Sequence, residues 1–307
     1  MNILHMRYAV EVADAGSINK ASEVVFVAPP NLSRAIKELE GSLGVTLFDR
    51  SSRGVSLTPE GEEFVRYARK ILSEIDGLED MYRSGLPPKR RFSVSVPRAS
   101  YIADAFVRFS RSVGHEPVEI YYMETNPHHA IQNILTAGYD LGIIRYAENY
   151  ERYFVTMLRE KGLDHELITK FQYLLIMSRR SPLAAKKEIR ASDLQDLIEI
   201  AHADPFVPSL PLATVRREEL SDTIERRIFV FERGSQFSLL SELHETFMWV
   251  SPVPEQLLRR YDLVQRKCVD DRKLYQDVLI HRTGYARSEL DERFILEIHA
   301  SKDRFPI

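Results

Sequence analysis

The chain has 307 residues, 44% of them hydrophobic and 28% charged, with a formal net charge of −3. That length allows two or three domains, each with its own core. The charge offers no bulk attraction to nucleic acid, so composition alone does not point to DNA. The single Cys268 excludes an intrachain disulfide and a two-cysteine redox switch. No stretch approaches the ~18 apolar residues of a membrane span. The first 16 residues lack the long apolar core of a signal peptide, so a cytoplasmic location is expected. Asn31-Leu32-Ser33 matches a glycosylation triplet only by chance in that setting.

In chain order, Ile3–Asp14 reads as a helix with Leu4, Tyr8, Ala9 and Val12 on one face. Gly16-Ser17 then supplies a turn and an N-cap for a short helix whose inner face is Ile18, Ala21 and Val25. In the next helix, 28–44, Pro29 and Pro30 stand where missing N–H groups cost nothing. Leu32, Ile36, Leu39 and Leu43 recur at the helical period, which puts Arg34 and Lys37 opposite the stripe and Asn31 on its flank. Two cations and an amide on one face suit phosphates and base edges, although a solvated amphipathic helix has the same pattern. Two short apolar segments follow around Ser51–Gly54, a hairpin that would carry Arg50 and Arg53 outward. Over 28–58, four cations face three carboxylates, a balance of +1, so affinity would rest on placed contacts rather than bulk charge.

Short helix, tight turn, helix and hairpin form a winged helix-turn-helix. The first 85 or so residues resemble a LysR-type transcriptional regulator. The likeness is carried by Ala9, Gly16-Ser17, Ala21, Pro30, Leu32-Ser33-Arg34, Ile36, Leu39-Glu40, Leu43-Gly44, Leu47-Phe48, Arg50, Leu57-Thr58 and Gly61, in order and without a gap. It implies a DNA-binding domain over 1–58 in which Ser17, Pro30, Asn31, Ser33, Arg34, Lys37, Arg50 and Arg53 meet the duplex. The sequence departs from the family at Ala28 and Pro29, where a small hydroxyl residue and a glutamine are usual. A contact typical of the family is therefore missing, and Asn31 is expected to take over part of the readout.

Thr58-Pro59 opens a further helix with an N-cap and a proline at its first position, and Glu60, Glu62 and Glu63 complement its dipole. Phe64, Ala68, Ile71, Ile75, Leu78 and Tyr82 form a heptad seam. The resemblance makes 59–88 a dimerising linker helix and hinge, although packing on the helix's own domain fits the same spacing. Two-fold pairing implies an imperfect inverted repeat as DNA site, and the resemblance extends to a tetramer and, for an activator, RNA polymerase. Ser84–Arg91, with Gly85, Pro87 and Pro88, breaks the helix.

From residue 89 strands and helices alternate, which implies α/β layers. The order is similar to the LysR effector-binding region, itself like type 2 periplasmic binding proteins. The fold class is thus mixed: an all-α winged helix-turn-helix domain with linker helix, then an α/β effector domain of two Rossmann-like subdomains. Subdomain I is placed at about 91–163 and 267–307 and subdomain II at about 164–266, with crossings near Lys161–Glu166 and Val264–Val269. Ligands in such folds lie at the carboxyl ends of strands, beside helix N-termini. That rule selects Arg98–Tyr101, and then Ser100, Thr125, Asn126, His128, Arg145, His202 and Ser235, with Arg145 as partner for a small-molecule carboxylate or for an internal ion pair. His244 and Phe247 are expected to crowd one side of the cleft.

Enzyme motifs are missing: no H-E-x-x-H or C-x-x-C, no G-x-S-x-G elbow, no phosphate loop and no dinucleotide fingerprint. No catalytic residue, cofactor or metal is expected. Three readings stay open: a ligand-responsive regulator, a DNA-binding oligomer without effector, and a small-molecule binding protein that does not recognise DNA.

Overall fold

The computed structural model describes residues 2–51, 54–84, 90–115, 117–220 and 223–304. It divides into two compact units, Met1–Lys89 and Arg90–Ile307. Arg53 and the hinge residues 85–89 lie outside the described residues, as do the side chains of Arg50 and Tyr82.

The first unit runs α1 (Ile3–Ala15), α2 (Ile18–Val24), α3 (Pro29–Leu43), a hairpin of β1 (Phe48–Ser51) and β2 (Gly54–Leu57), and α4 (Pro59–Ser84). Gly16 closes α1 at φ 61°, a left-handed position that favours glycine, and Ser17 caps α2. Helix α3 has no side-chain cap at Ala28; its two prolines pre-set the first turn, and Gly44 ends it at φ 73°. Leu32, Ile36 and Leu39 are fully buried among Ala9, Val12, Ala21, Leu47 and Phe48. Each such side chain contributes about 1.5–3 kcal/mol by leaving water. Leu43, expected in the same stripe, is 37% exposed because the helix end runs past the small core, and Leu4 of α1 is exposed as well, its place inside taken by Met6.

Glu40 fastens the wing to α3: its Oε1 accepts the N–H groups of Leu47 at 2.8 Å and Phe48 at 3.2 Å. Thr58 joins the wing to α4, donating to the Thr46 carbonyl at 2.7 Å and accepting the Gly61 N–H at 2.9 Å. Gly61 faces the Leu47 carbonyl so closely that an added Cβ would lie 2.0 Å from its oxygen.

The second unit holds two five-stranded sheets. The first comprises β3 (Arg90–Val96), β4 (Val118–Glu124), β5 (Leu141–Ala147), β6 (Leu163–Gln172) and β12 (Leu274–Arg282), in the order β4-β3-β5-β12-β6. The β3, β4 and β5 strands are parallel, whereas β12 is antiparallel to both neighbours. Alternation along the strands separates two cores. Ile143 and Leu279 face α5 (Ser100–Val113) and α11 (Glu289–Lys302), while Ile144, Tyr146 and Ile280 face α6 (Pro127–Thr136) and α7 (Glu151–Glu160). The second sheet has the order β11-β7-β10-β8-β9 and comprises β7 (Leu174–Ser178), β8 (Ile198–His202), β9 (Arg226–Val230), β10 (Thr246–Val250) and β11 (Leu263–Arg266). It is accompanied by α8 (Leu212–Glu219), α9 (Gly234–Glu242) and α10 (Glu255–Arg260).

The sheets relocate the first crossing. Strand β6 pairs with β12 from Leu163↔Arg282 to Gln172↔Leu274, so 163–172 belongs to the first sheet and the chain crosses at Tyr173 rather than near Lys161–Glu166. The return falls between Arg266 and Leu274.

Gly61→Ala is expected to destabilise the first unit by about 2 kcal/mol or more, since backbone must move to admit the methyl group. Thermal unfolding of the full chain measures this, and an unchanged transition would contradict the packing described.

Candidate DNA-binding helix and effector cleft

In the first unit the buried Leu32, Ala35, Ile36 and Leu39 fix the rotation of α3, so Pro30, Asn31, Arg34, Lys37 and Glu38 are exposed. Ser33 is half-buried on the flank, and Ser17 is occupied as the cap of α2, its Oγ accepting from the Lys20 N–H. One surface therefore presents two cations, an amide and a proline-led helix start, which suits a major groove. In α4 the seam divides. Phe64 and Ala68 pack under α1 with Met6, Val10 and Leu72, so they are spent within the chain. Ile71 and Leu78 remain 40% and 53% exposed, with Ile75 half-buried. The Arg7–Asp76 ion pair at 2.5 Å and the Arg69–Asp14 pair fasten α4 to α1.

In the second unit a cavity of about 520 Å³ opens between the two sheets. Thr125, Asn126, Arg145 and His202 line it, as the rule of strand ends requires. Three other expected residues do not. Ser100 accepts the Arg233 guanidinium at 2.9 Å, Ser235 is exposed in the first turn of α9, and His128 lines a separate open groove, its ring 4.8 Å from that of Phe206. Nor do His244 and Phe247 crowd the cleft. Phe247 is fully buried in the core of the second sheet, and from its strand Met248 and Trp249 line the cavity instead.

The cavity's charges are largely committed. Arg145 donates to Asp277 through Nε at 2.7 Å and Nη2 at 2.6 Å, and Tyr101 donates to the same carboxylate at 2.5 Å. Its guanidinium lies 4.6 Å from the Phe171 ring centroid. Burial alone would favour the neutral form, but the Asp277 charge drives the Arg145 pKa well above its ordinary value. Arg145 is therefore an internal ion-pair partner, and the expected carboxylate would have to displace a built-in one. The cavity wall carries six carboxylates, Glu199, Asp204, Glu218, Glu219, Asp270 and Asp271, against Arg98, Arg145, Arg217 and Lys273.

Sequence reasoning missed the polar bridges over this cavity. Arg98 beyond β3 forms a two-point pair with Asp204 beyond β8, at 2.9 and 3.1 Å, and Asn126 donates to the same aspartate at 3.1 Å. Burial pushes the Asp204 carboxyl up, yet the Arg98 bond and charge hold it below its ordinary value. Tyr275 and Lys273 hold Glu219 at 2.8 and 2.6 Å, and outside the cavity lining Arg233, just before α9, reaches Glu124 at 2.8 Å. Arg98 and Asn126 stand at sites the strand-end rule selects; Asp204 carries no local signal, because its partners lie 106 and 78 residues earlier. Burial and Arg98 push the His202 imidazole down to about 4, and burial raises the Cys268 thiol, which keeps it an unreactive neutral group. Among the described residues no group of three or more His, Cys, Asp or Glu could hold a metal, and no helix is long and apolar enough to cross a membrane.

A winged helix-turn-helix followed by two α/β subdomains around a cavity defines a one-component DNA-binding regulator fold. Residues 3–62 match the family of bacterial regulatory helix-turn-helix proteins of the lysR type. The regulator YofA of Bacillus subtilis is 31% identical over 305 residues, 95% of this chain and 96% of its own length. BenM of Acinetobacter baylyi is 44% identical over 81 residues, 26% of this chain and only about a quarter (27%) of BenM. The fold is similar to that of full-length CbnR solved with its target DNA, at a TM-score of 0.56 and 18% identity, covering 98% of this chain and 100% of that one. The chain belongs to the LysR family of transcriptional regulators. Members are regulators and not enzymes, in keeping with the missing catalytic motifs.

His202 titrates below its unfolded value of about 6.5, so stability is intact above that pH. As pH falls toward about 4, the unfolded chain takes up a proton that the folded chain refuses, and stability is lost. His202→Gln should flatten the fall in Tm between pH 6.5 and 4.5. Thermal unfolding across that window checks it, and parallel curves for both proteins would refute it.

Proposed function

We propose that this chain is a sequence-specific DNA-binding transcriptional regulator of the cytoplasm whose activity is set by a small molecule in the cavity between its two α/β subdomains. The observation that carries the DNA-binding half is the exposed face of α3, where Asn31, Arg34 and Lys37 stand opposite the buried Leu32, Ile36 and Leu39. Pro30 and Ser33 would sit at the same groove and Ser17 at a flanking phosphate, and the sequence pattern adds Arg50 and Arg53 as partners for the adjacent phosphates. Copies pair through Ile71, Ile75, Leu78 and Tyr82 of α4, so the DNA site is an imperfect inverted repeat; a tetramer, and RNA polymerase for an activator, belong to this reading.

The effector half rests on the polar bridges. Arg98–Asp204–Asn126 joins the two subdomains in the cavity wall, so a ligand that competes with it changes the angle between the sheets. With more carboxylates than cations and with Tyr146, Tyr150, Tyr173, Tyr275 and Trp249 in the wall, the site suits a neutral or amine-bearing molecule with a flat apolar body better than a carboxylate.

Two measurements test this. Selection from random duplex DNA should enrich an inverted repeat, and Arg34→Ala should weaken binding to it by about tenfold or more, as loss of a two-point base contact costs about 1–3 kcal/mol; equal binding would rule out the assigned face. A metabolite screen read by thermal unfolding should find its stabilisers among amines and neutral aromatics, with Tm rising as free ligand exceeds Kd. Stabilisation by carboxylates alone would overturn the charge argument.

A further inference from the structure

Phe26, in the turn between α2 and α3, has a left-handed backbone at φ 53° and a side chain 95% exposed. Both features are unfavourable for a bulky apolar residue. Left-handed positions outside glycine go to Asn, Asp and His, and a large aromatic ring in water gains nothing for the fold. Among the described residues the two other non-glycine residues with positive φ are Ser209 and Asp262, short and polar. The turn sets the backbone, so what asks for a function is the choice of an exposed aromatic ring at a position that suits a short polar residue or glycine.

The surroundings indicate the partner. Val24–Pro30, VVFVAPP, contains no side-chain hydrogen-bond donor or acceptor. Of this run Val24, Phe26, Ala28, Pro29 and Pro30 are exposed, and they lead directly into the helix face that holds Asn31 and Arg34. A duplex entered by that helix offers an apolar side chain one feature that distinguishes bases, the C5 methyl of thymine in the major groove.

We infer that Phe26 is a specificity-determining residue that packs its ring on a thymine methyl at the edge of the half-site. It supplies, by apolar contact, discrimination that Ala28 and Pro29 cannot supply by hydrogen bonding. This rests on the DNA-binding reading above and adds a base preference to it.

The test uses the full chain, the sequence enriched by selection, and the same duplex with deoxyuridine at each thymine position in turn, which removes only the methyl. Phe26→Asn tolerates the left-handed backbone and should leave Tm unchanged or raised, while weakening operator binding about tenfold. At one position uracil should weaken the wild type by a similar factor and leave Phe26→Asn unaffected, the signature of a lost pairwise contact. Phe26→Leu, which keeps an apolar group, should retain part of the thymine preference. Equal operator affinity of wild type and Phe26→Asn overturns the inference, as does uracil weakening both proteins equally at every position. A change in self-association without a change in DNA affinity assigns the ring to a second copy instead, and also overturns it. If the wild type enriches no sequence, the DNA-binding reading itself falls, and this inference with it. A wild type that binds a defined site with Phe26→Asn unchanged removes this inference alone.

Discussion

Asp277 has no solvent access, and it holds both the Arg145 guanidinium and the Tyr101 hydroxyl. It sits on β12, the strand with which the chain returns to its first sheet after building the second, while Arg145 is on β5 beside it and Tyr101 is on α5. A charge buried so deeply is tolerable only with its partner in place, and removing either leaves an uncompensated charge at a cost of about 3–5 kcal/mol. The contact therefore specifies that 274–282 inserts between β5 and β6 in one register, which brings the two crossings together under the cavity. It also removes a deeply buried cation from ligand binding and so shapes what the cavity can accept.

The polar bridges between the subdomains are of a different kind. Arg98–Asp204 and Arg233–Glu124 are only partly buried, so each is worth less than the Asp277 pair and can be exchanged for contacts to a ligand or to water. In the function proposed above, the exchangeable bridge in the cavity wall is what a bound molecule would compete with, shifting the subdomains by its differential affinity for two arrangements. The fold thus separates what must stay fixed from what can move.

Local patterns in the sequence were informative where the structure depends on local physics. Helix α3 was legible in its bounds and in three of its four stripe positions, because two prolines, an apolar period and a closing Gly44 all act within one element, while Leu43 runs past the core. The alternation of strands and helices likewise gave the α/β class, and strand ends pointed to Asn126 and His202. What could not be read depends on distant partners. Strand β6 was missed as part of the first sheet because its identity comes from pairing with β12, more than a hundred residues later. Arg145 was assigned to a ligand or an ion pair without its partner, which lies 132 residues away. The heptad seam of α4 was correct as periodicity, yet periodicity does not say that Phe64 and Ala68 are consumed by α1. Exposure is invisible too: nothing in VVFVAPP announces which apolar residue remains in water.

A nuclease footprint of the purified protein over the DNA upstream of its own coding sequence, with excess random competitor, tests the central claim most directly. Protection confined to an inverted repeat, its extent altered when the Arg98–Asp204 bridge is removed by Asp204→Ala, is the result expected of a DNA-binding face governed by the cavity. Weak protection spread evenly along the fragment at every salt concentration, identical for both proteins, would contradict it.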